Sequence, residues 1–281
     1  DLPLMSSHTS GASLRRRCLT LSSDHENIIA AHGPFIESIN VSKWEAHNHQ
    51  PAEPPIRVKV FADLGAYVDT VLPLGATGHV VAVSNILQDK PNEEYKVYAT
   101  LVPADYLVTG GYALRNRFVI STQPLSEKPC QPKVAVIVQS KKLLVLTGTS
   151  LKVFEYSYNA DNGVTAFALP EIDTVDFLSE WPAQYTSRGP LKPLFVSPTD
   201  AFEFALQSGP KSVVIPTYTK PATKGAYEVR AMDHELNSPI GAVYLVHEMK
   251  IALVADQTEL HVFPTTIRIS SLETVTILPC Q

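Results

Sequence analysis

The chain has 281 residues, with 23 Lys and Arg against 28 Asp and Glu, so its net charge is −5. Hydrophobic residues make up 44% and charged residues 18%, where roughly 25% charged is usual, which excludes a disordered polyelectrolyte and leaves no long-range pull on nucleic acid. The 22 prolines exclude an architecture of long helices, because each removes a backbone donor and clashes with the preceding turn.

Residues 1–55 come first and read as an extended N-terminal arm, ordered by neighbours, with 56–281 as the body. Ser, His and Pro recur in this segment, from Ser6-Ser7-His8-Thr9-Ser10 to His47-Asn48-His49-Gln50-Pro51, and hydrophobic periodicity is weak. One helical turn is expected at Asp24–Ala31, capped by Asp24. Asn40-Val41-Ser42 has the form of a glycosylation sequon.

From Ile56 the pattern is strand after strand. Ile56–Phe61, Ala66–Leu72, Gly78–Ser84, Tyr95–Leu101 and Arg117–Ser121 form one group. Lys133–Val138, Leu143–Thr147 and Ser150–Tyr158 form a second. Alternations such as Val58 and Val60 against Arg57 and Lys59 mark strands with one buried face. Turn chemistry separates them at Lys90-Pro91-Asn92, Gly110-Gly111 and Asp161-Asn162-Gly163. A proline-rich interruption over 170–210 is expected to hold one helix, with Asp200 as cap, Glu203 as its reciprocal partner, Phe202, Ala205 and Leu206 on one face, and Gly209-Pro210 as the stop. Strands resume at Ser212–Pro216, Ala226–Ala231, Ala242–His247, Lys250–Ala255, His261–Ile269 and Thr274–Leu278. No repeat of fixed period is visible. These signals predict an all-β fold, an antiparallel β-sandwich with long proline-rich loops and one or two short helices.

Chemical motifs are sparse. Cys18, Cys130 and Cys280 are too far apart for a C-x-x-C metal site or a disulfide framework and read as reduced thiols. His47 and His49 supply two metal ligands where zinc needs three or four. His79, His234 and His247 stand on separate segments without a nucleophile nearby in sequence, and no G-x-S-x-G, H-E-x-x-H, P-loop or G-x-G-x-x-G occurs. The expectation is therefore a protein that is not an enzyme and needs no cofactor or metal. The longest apolar runs, about six residues, are far below the ~20 of a membrane-spanning helix. Arg15-Arg16-Arg17 is the only basic run and suits contact with phosphate or RNA.

Leu74-Gly75-Ala76-Thr77-Gly78 feeding the apolar strand to Val83 is similar to the loop of an SH3-like or KOW barrel. That resemblance implies an alternative function, an RNA- or protein-binding module in a large complex. A glycan-binding protein is a third alternative, with only Trp44 and Trp181 available for stacking on sugars.

The start at Asp1, the Leu278-Pro279-Cys280-Gln281 end, the Ser13-Leu14-Arg15-Arg16-Arg17 arm and the Val213–Tyr218 passage together resemble a picorna-like virus capsid protein of jelly-roll type. The resemblance implies a processed polyprotein product and a structural capsid subunit. Such a subunit assembles with sister subunits in the host cytoplasm, resides in the virion and contacts packaged RNA through the arm. Its assembly loops are expected at Tyr185, Pro190, Pro193, Pro198, Tyr218 and Pro221, where proline-stiffened, low-charge segments lose little entropy on ordering.

Overall fold

A computed structural model describes residues 18–21, 27–40, 59–64, 66–104, 116–161, 164–176, 191–200, 203–219, 228–265 and 275–276. The chain is all-β, and among the described residues there is no α-helix. Two compact units organise it: Asp1–Glu127 with Ser157–Ala168, and Lys128–Tyr156 with Leu169–Gln281.

The first unit begins with a sheet of β1 (Cys18–Leu21), β2 (Asn27–His32), β3 (Phe35–Asn40) and β4 (Lys59–Asp63), paired in that order. A second follows, made of β5 (Val68–Pro73), β6 (Val80–Ser84), β7 (Tyr95–Val102) and β8 (Arg117–Gln123). Ile29, Ala31 and Ile36 of the first sheet share a core with Val71, Val80, Ala82 and Val102 of the second. The segment expected as an arm thus contributes β1, β2 and β3 to a sheet, and the turn expected at Asp24–Ala31 is replaced from Asn27 by strand β2. Its Ile28-Ile29 pair favours the pleat, where β-branched side chains pack well.

In the second unit, β9 (Lys133–Ile137), β10 (Lys142–Leu146) and β11 (Ser150–Glu155) form a meander completed by β14 (Glu171–Asp176). Between β11 and β14 the chain makes a separate hairpin, β12 (Ser157–Asp161) with β13 (Val164–Ala168), which belongs to the first unit. Two more four-stranded sheets follow. One is β15 (Lys192–Val196), β16 (Phe204–Gln207), β17 (Ser212–Thr219) and β18 (Glu228–Glu235); the other is β19 (Ile240–Val246), β20 (Ile251–Asp256), β21 (Leu260–Pro264) and β22 (Val275–Thr276).

The burial of β16 shows how these layers stack. Phe204 and Leu206, with Val214, enter a core shared with Leu144, Leu146, Leu151 and Val153 of the preceding sheet. Ala205, with Val213 and Ile215, enters a different core shared with Val243, Leu245, Ala252 and Val254 of the following sheet. Alternate residues point to opposite faces, so the β15–β18 sheet is covered on both sides. This is why the helix expected from Asp200 does not form: Phe204-Ala205-Leu206 is an uninterrupted apolar run because both its faces are buried, and local capping signals yield to tertiary packing.

The expected jelly-roll sandwich is corrected at the same point. Jelly rolls link strands across two sheets in Greek-key order, whereas every four-stranded sheet here is a local meander, and three of them stack in series in one unit. The prolines fit this plan. Pro193 lies at a register shift in edge strand β15, and Pro216 lies beyond Val213 and Val214, the β17 residues that pair with β16, so its missing N–H interrupts no bond on that side.

Candidate functional site

Polar chemistry in the second unit gathers at the two ends of the last sheet. At one end the turn 247–250 joins β19 to β20, held by a bond from the Lys250 N–H to the His247 carbonyl at 3.2 Å. Glu203, just before β16, reaches this turn. Its Oε1 accepts from Lys250 Nζ at 3.0 Å and its Oε2 lies 2.6 Å from His247 Nδ1. Lys250 Nζ is also 3.0 Å from that ring nitrogen. The two contacts at Nδ1 are alternatives, because one nitrogen either donates to Glu203 or accepts from Lys250. With its side chain 19% exposed, Glu203 fastens the turn to the neighbouring sheet. A His–Glu pair also orients catalytic bases, yet among the described residues no Ser, Thr or Cys bonds to His247 and no group of three metal-ligating side chains converges.

At the other end Asp256 organises the β20–β21 turn. Its Oδ1 accepts from the N–H of Thr258 (2.7 Å) and of Glu259 (2.8 Å) and from the Thr258 hydroxyl (2.9 Å), and Oδ2 lies 3.1 Å from His261 Nε2. The backbone N–H of Thr258, foremost among these donors, holds the Asp256 carboxyl far below the usual carboxylate range. A depressed folded pKa contributes stability that is present above the unfolded value, near 3.9, and is lost as pH falls through the folded one. Asp256→Ala should therefore destabilise most at neutral pH, and its melting curve should converge on that of the unaltered protein well below pH ~4. A stability difference that stayed constant down to strongly acidic pH would contradict this role.

In the first unit, Tyr98 of β7 and Arg117 of β8 form a surface cluster with Asp89. The guanidinium lies 3.7 Å from the Tyr98 ring centroid, and the Tyr98 hydroxyl donates to the Asp89 carboxylate. Burial and this bond to an anion push the phenol up to about 12. Because the folded form holds the proton more tightly, the contribution is complete below the unfolded pKa of ~10 and is lost as pH rises through about 12. Ultraviolet difference titration should show one tyrosine ionising late, and Tyr98→Phe should remove that component; its persistence in the variant would refute the assignment.

His79 is structural. Its Nδ1 accepts from the Ala104 N–H at 3.0 Å, and its ring lies edge-on to Tyr158 (4.7 Å between centroids) and Phe167 (5.4 Å), which ties the β5–β6 turn to the β12–β13 hairpin. Gly75 and Gly78, expected as a barrel loop, lie in that turn, with the Leu74 N–H bonded to the His79 carbonyl at 2.9 Å. Gly78 has φ 74°, and an added Cβ would sit 3.0 Å from the Ala104 Cβ. The glycines thus serve a hairpin inside a four-stranded meander.

The other sequence candidates are scattered. Arg15, Arg16, Arg17, His47, His49, Tyr185, Pro190, Pro221 and Cys280 lie outside the described residues. Pro193 is buried in β15, Pro198 is exposed after it, and Tyr218 and His234 fall in the paired strands β17 and β18. Cys130 is a half-buried thiol whose pKa burial raises. Sequence reasoning did not single out Glu203, Lys250, Asp256 or His261 as a site; the spacing of Asp256, Thr258 and His261 was the one local signal for a side-chain-bonded turn.

No family model matches the chain, and no curated protein matches it. Solved structures resemble it. A functionally unknown protein from Desulfotomaculum acetoxidans is similar over 92% of this chain and 68% of its own, at 14% identity and a TM-score of 0.46. The WD40 domain of SCAP from fission yeast is similar over 93% and 55%, at 10% identity and 0.46. The β-propeller domain of Cps50 (Swd1) from Myceliophteria thermophila is similar over 88% and 69%, at 9% identity and 0.44. The chain spans little more than half of the SCAP domain.

The expectation of a capsid subunit is corrected here. The solved structures named are a protein of unknown function and two domains of WD40 or β-propeller type, and the sheets are consecutive meanders where a jelly roll needs Greek-key order. The sister capsid subunits, packaged RNA, virion and polyprotein processing that followed from that resemblance fall with it. The Val213–Tyr218 passage is an ordinary strand, β17, paired along its length with β18.

Proposed function

We propose that this chain is a β-propeller-type scaffold that works by binding other proteins within a complex, without catalysis. One observation carries the reading: consecutive four-stranded meanders stack face to face, with the β15–β18 sheet buried on both sides by the sheets before and after it. Serial four-stranded blades are the construction principle of propellers. Such layers fix the backbone of each sheet and leave the turns to vary, which suits recognition of a partner. The titratable groups at the turns support the same reading. Glu203 engages His247 and Lys250, and Asp256 engages backbone donors, so both carboxylates hold turns in shape.

The test is to isolate the full chain gently from its own cells, with cross-linking, and to measure its mass by size exclusion with light scattering. A species well above the 30.8 kDa of the chain, containing other proteins in fixed ratio, is expected. A lone chain that remains monomeric with or without cross-linking would refute the proposal.

A further inference from the structure

The last sheet has two faces, and both are apolar. On one, Val243 and Leu245 of β19, with Ala252 and Val254 of β20, fill the core shared with the preceding sheet. The register places three rows on the opposite face: Ala242, Ala255 and Leu260; Tyr244, Leu253 and Val262; Val246, Ile251 and Pro264. These nine side chains carry no charge, and the Tyr244 hydroxyl is the only polar group among them. A sheet face turned to water normally alternates with the buried one as polar against apolar. Here Tyr244 is 57% exposed, Leu260 48%, and Met249, at the adjoining turn, 67%. A contiguous apolar surface of this kind marks a site of association.

Its dimensions and rim narrow the occupant. Three strands about 4.8 Å apart and five residues at about 3.4 Å span roughly 10 Å by 14 Å. That footprint is well short of the ~800 Å² per partner of a standard protein–protein interface, so it suits a single segment better than a second folded copy. The backbone groups of β20 are already paired with β19 on one side and β21 on the other. An occupant lying on the face finds no ladder there and must satisfy its own backbone bonds, as a helix does. Carboxylates stand at both ends: exposed Glu248 in the 247–250 turn, and Glu259, 55% exposed, with His261 Nε2 at 4.0 Å. The cations nearby, Lys250 and His247, are already engaged by Glu203. The geometry points to this face as a dock for a short amphipathic helix, apolar on one side and bearing Lys or Arg near its ends. The inference rests on the protein-binding reading and names its surface and the chemistry of the partner.

A fluorescein-labelled helical peptide of about 14 residues, long enough to span ~20 Å, with Leu along one face and Lys at both ends, tests it against the full chain by fluorescence anisotropy. Saturable binding is expected. The double variant Tyr244→Ser/Leu260→Ser should weaken it about tenfold or more while leaving the melting temperature nearly unchanged, because both side chains are exposed. A peptide with Glu at its ends should bind much more weakly, and added salt should narrow the gap. Binding that is unsaturable or indifferent to the variant overturns the inference. So does a Leu253→Cys thiol that resists maleimide in the folded chain, which would show the face covered by the chain itself, or a doubled mass by light scattering that Tyr244→Ser abolishes, which would identify a second copy. If the double variant keeps all its cellular partners, this face is overturned while the scaffold reading stands.

Discussion

Phe204→Ala should cost roughly 3–5 kcal/mol, the range for removing a fully buried aromatic side chain, and lower the melting temperature by on the order of 10 °C. Phe204 is 0% exposed and enters the core between the β9–β14 and β15–β18 sheets, beside Leu144, Leu146 and Leu206. Its strand cannot move inward to close the gap, because adjacent Ala205 fills the opposite core with Val213 and Val243. A residue on a singly covered sheet would have a free side toward which to relax. Phe204→Leu keeps most of the volume and should lose only a fraction as much. Chemical denaturation of both variants measures the difference; a loss under ~1 kcal/mol for Phe204→Ala would mean that these sheets are not packed face to face.

Much of the strand pattern was legible from residues alone. Tyr95–Val102, Lys133–Ile137 and Lys142–Leu146 fall within a residue or two of their expected limits, because periodicity and turn residues act locally. What escaped was set by distant packing. Phe204-Ala205-Leu206 carries a helical capping pattern upstream and is a strand because sheets cover both sides of it. The repeat of four-stranded sheets escaped for a related reason. Connections vary from Gly33-Pro34 between β2 and β3 to the whole β12–β13 hairpin inserted before β14, so equal structural units have unequal lengths. The candidate site was less legible still: Glu203 lies 44 residues from His247 and 47 from Lys250, and nothing local to either segment joins them.

Gly148→Ala should be among the most damaging single-methyl changes in the chain, although the position reads as an ordinary loop glycine. Its φ is not positive, so backbone freedom is not what requires it. An added Cβ would lie 2.3 Å from the carbonyl oxygen of Leu191, far inside van der Waals contact. Neither partner is free to yield. Leu191 is buried in the core that contains Phe204 and leads directly into β15. Gly148 lies in the β10–β11 turn, which Thr147 locks: its Oγ1 accepts from the N–H of Thr149 at 3.2 Å and of Ser150 at 2.9 Å, and its own N–H donates to the Ser150 carbonyl at 2.8 Å. Overpacking of this kind typically costs about 1–3 kcal/mol, and a clash with backbone on both sides belongs at or above the top of that range. The mechanism makes a sharper prediction through a double variant. Thr147→Val removes the side-chain acceptor that fixes the turn, so an alanine at 148 gains room to swing away from Leu191. The double variant should therefore cost less than the sum of the two single changes, by about 1 kcal/mol, as expected of residues sharing one network. Strict additivity in urea denaturation would show that the turn yields without its lock and that the close approach of Leu191 is not what excludes a side chain at 148.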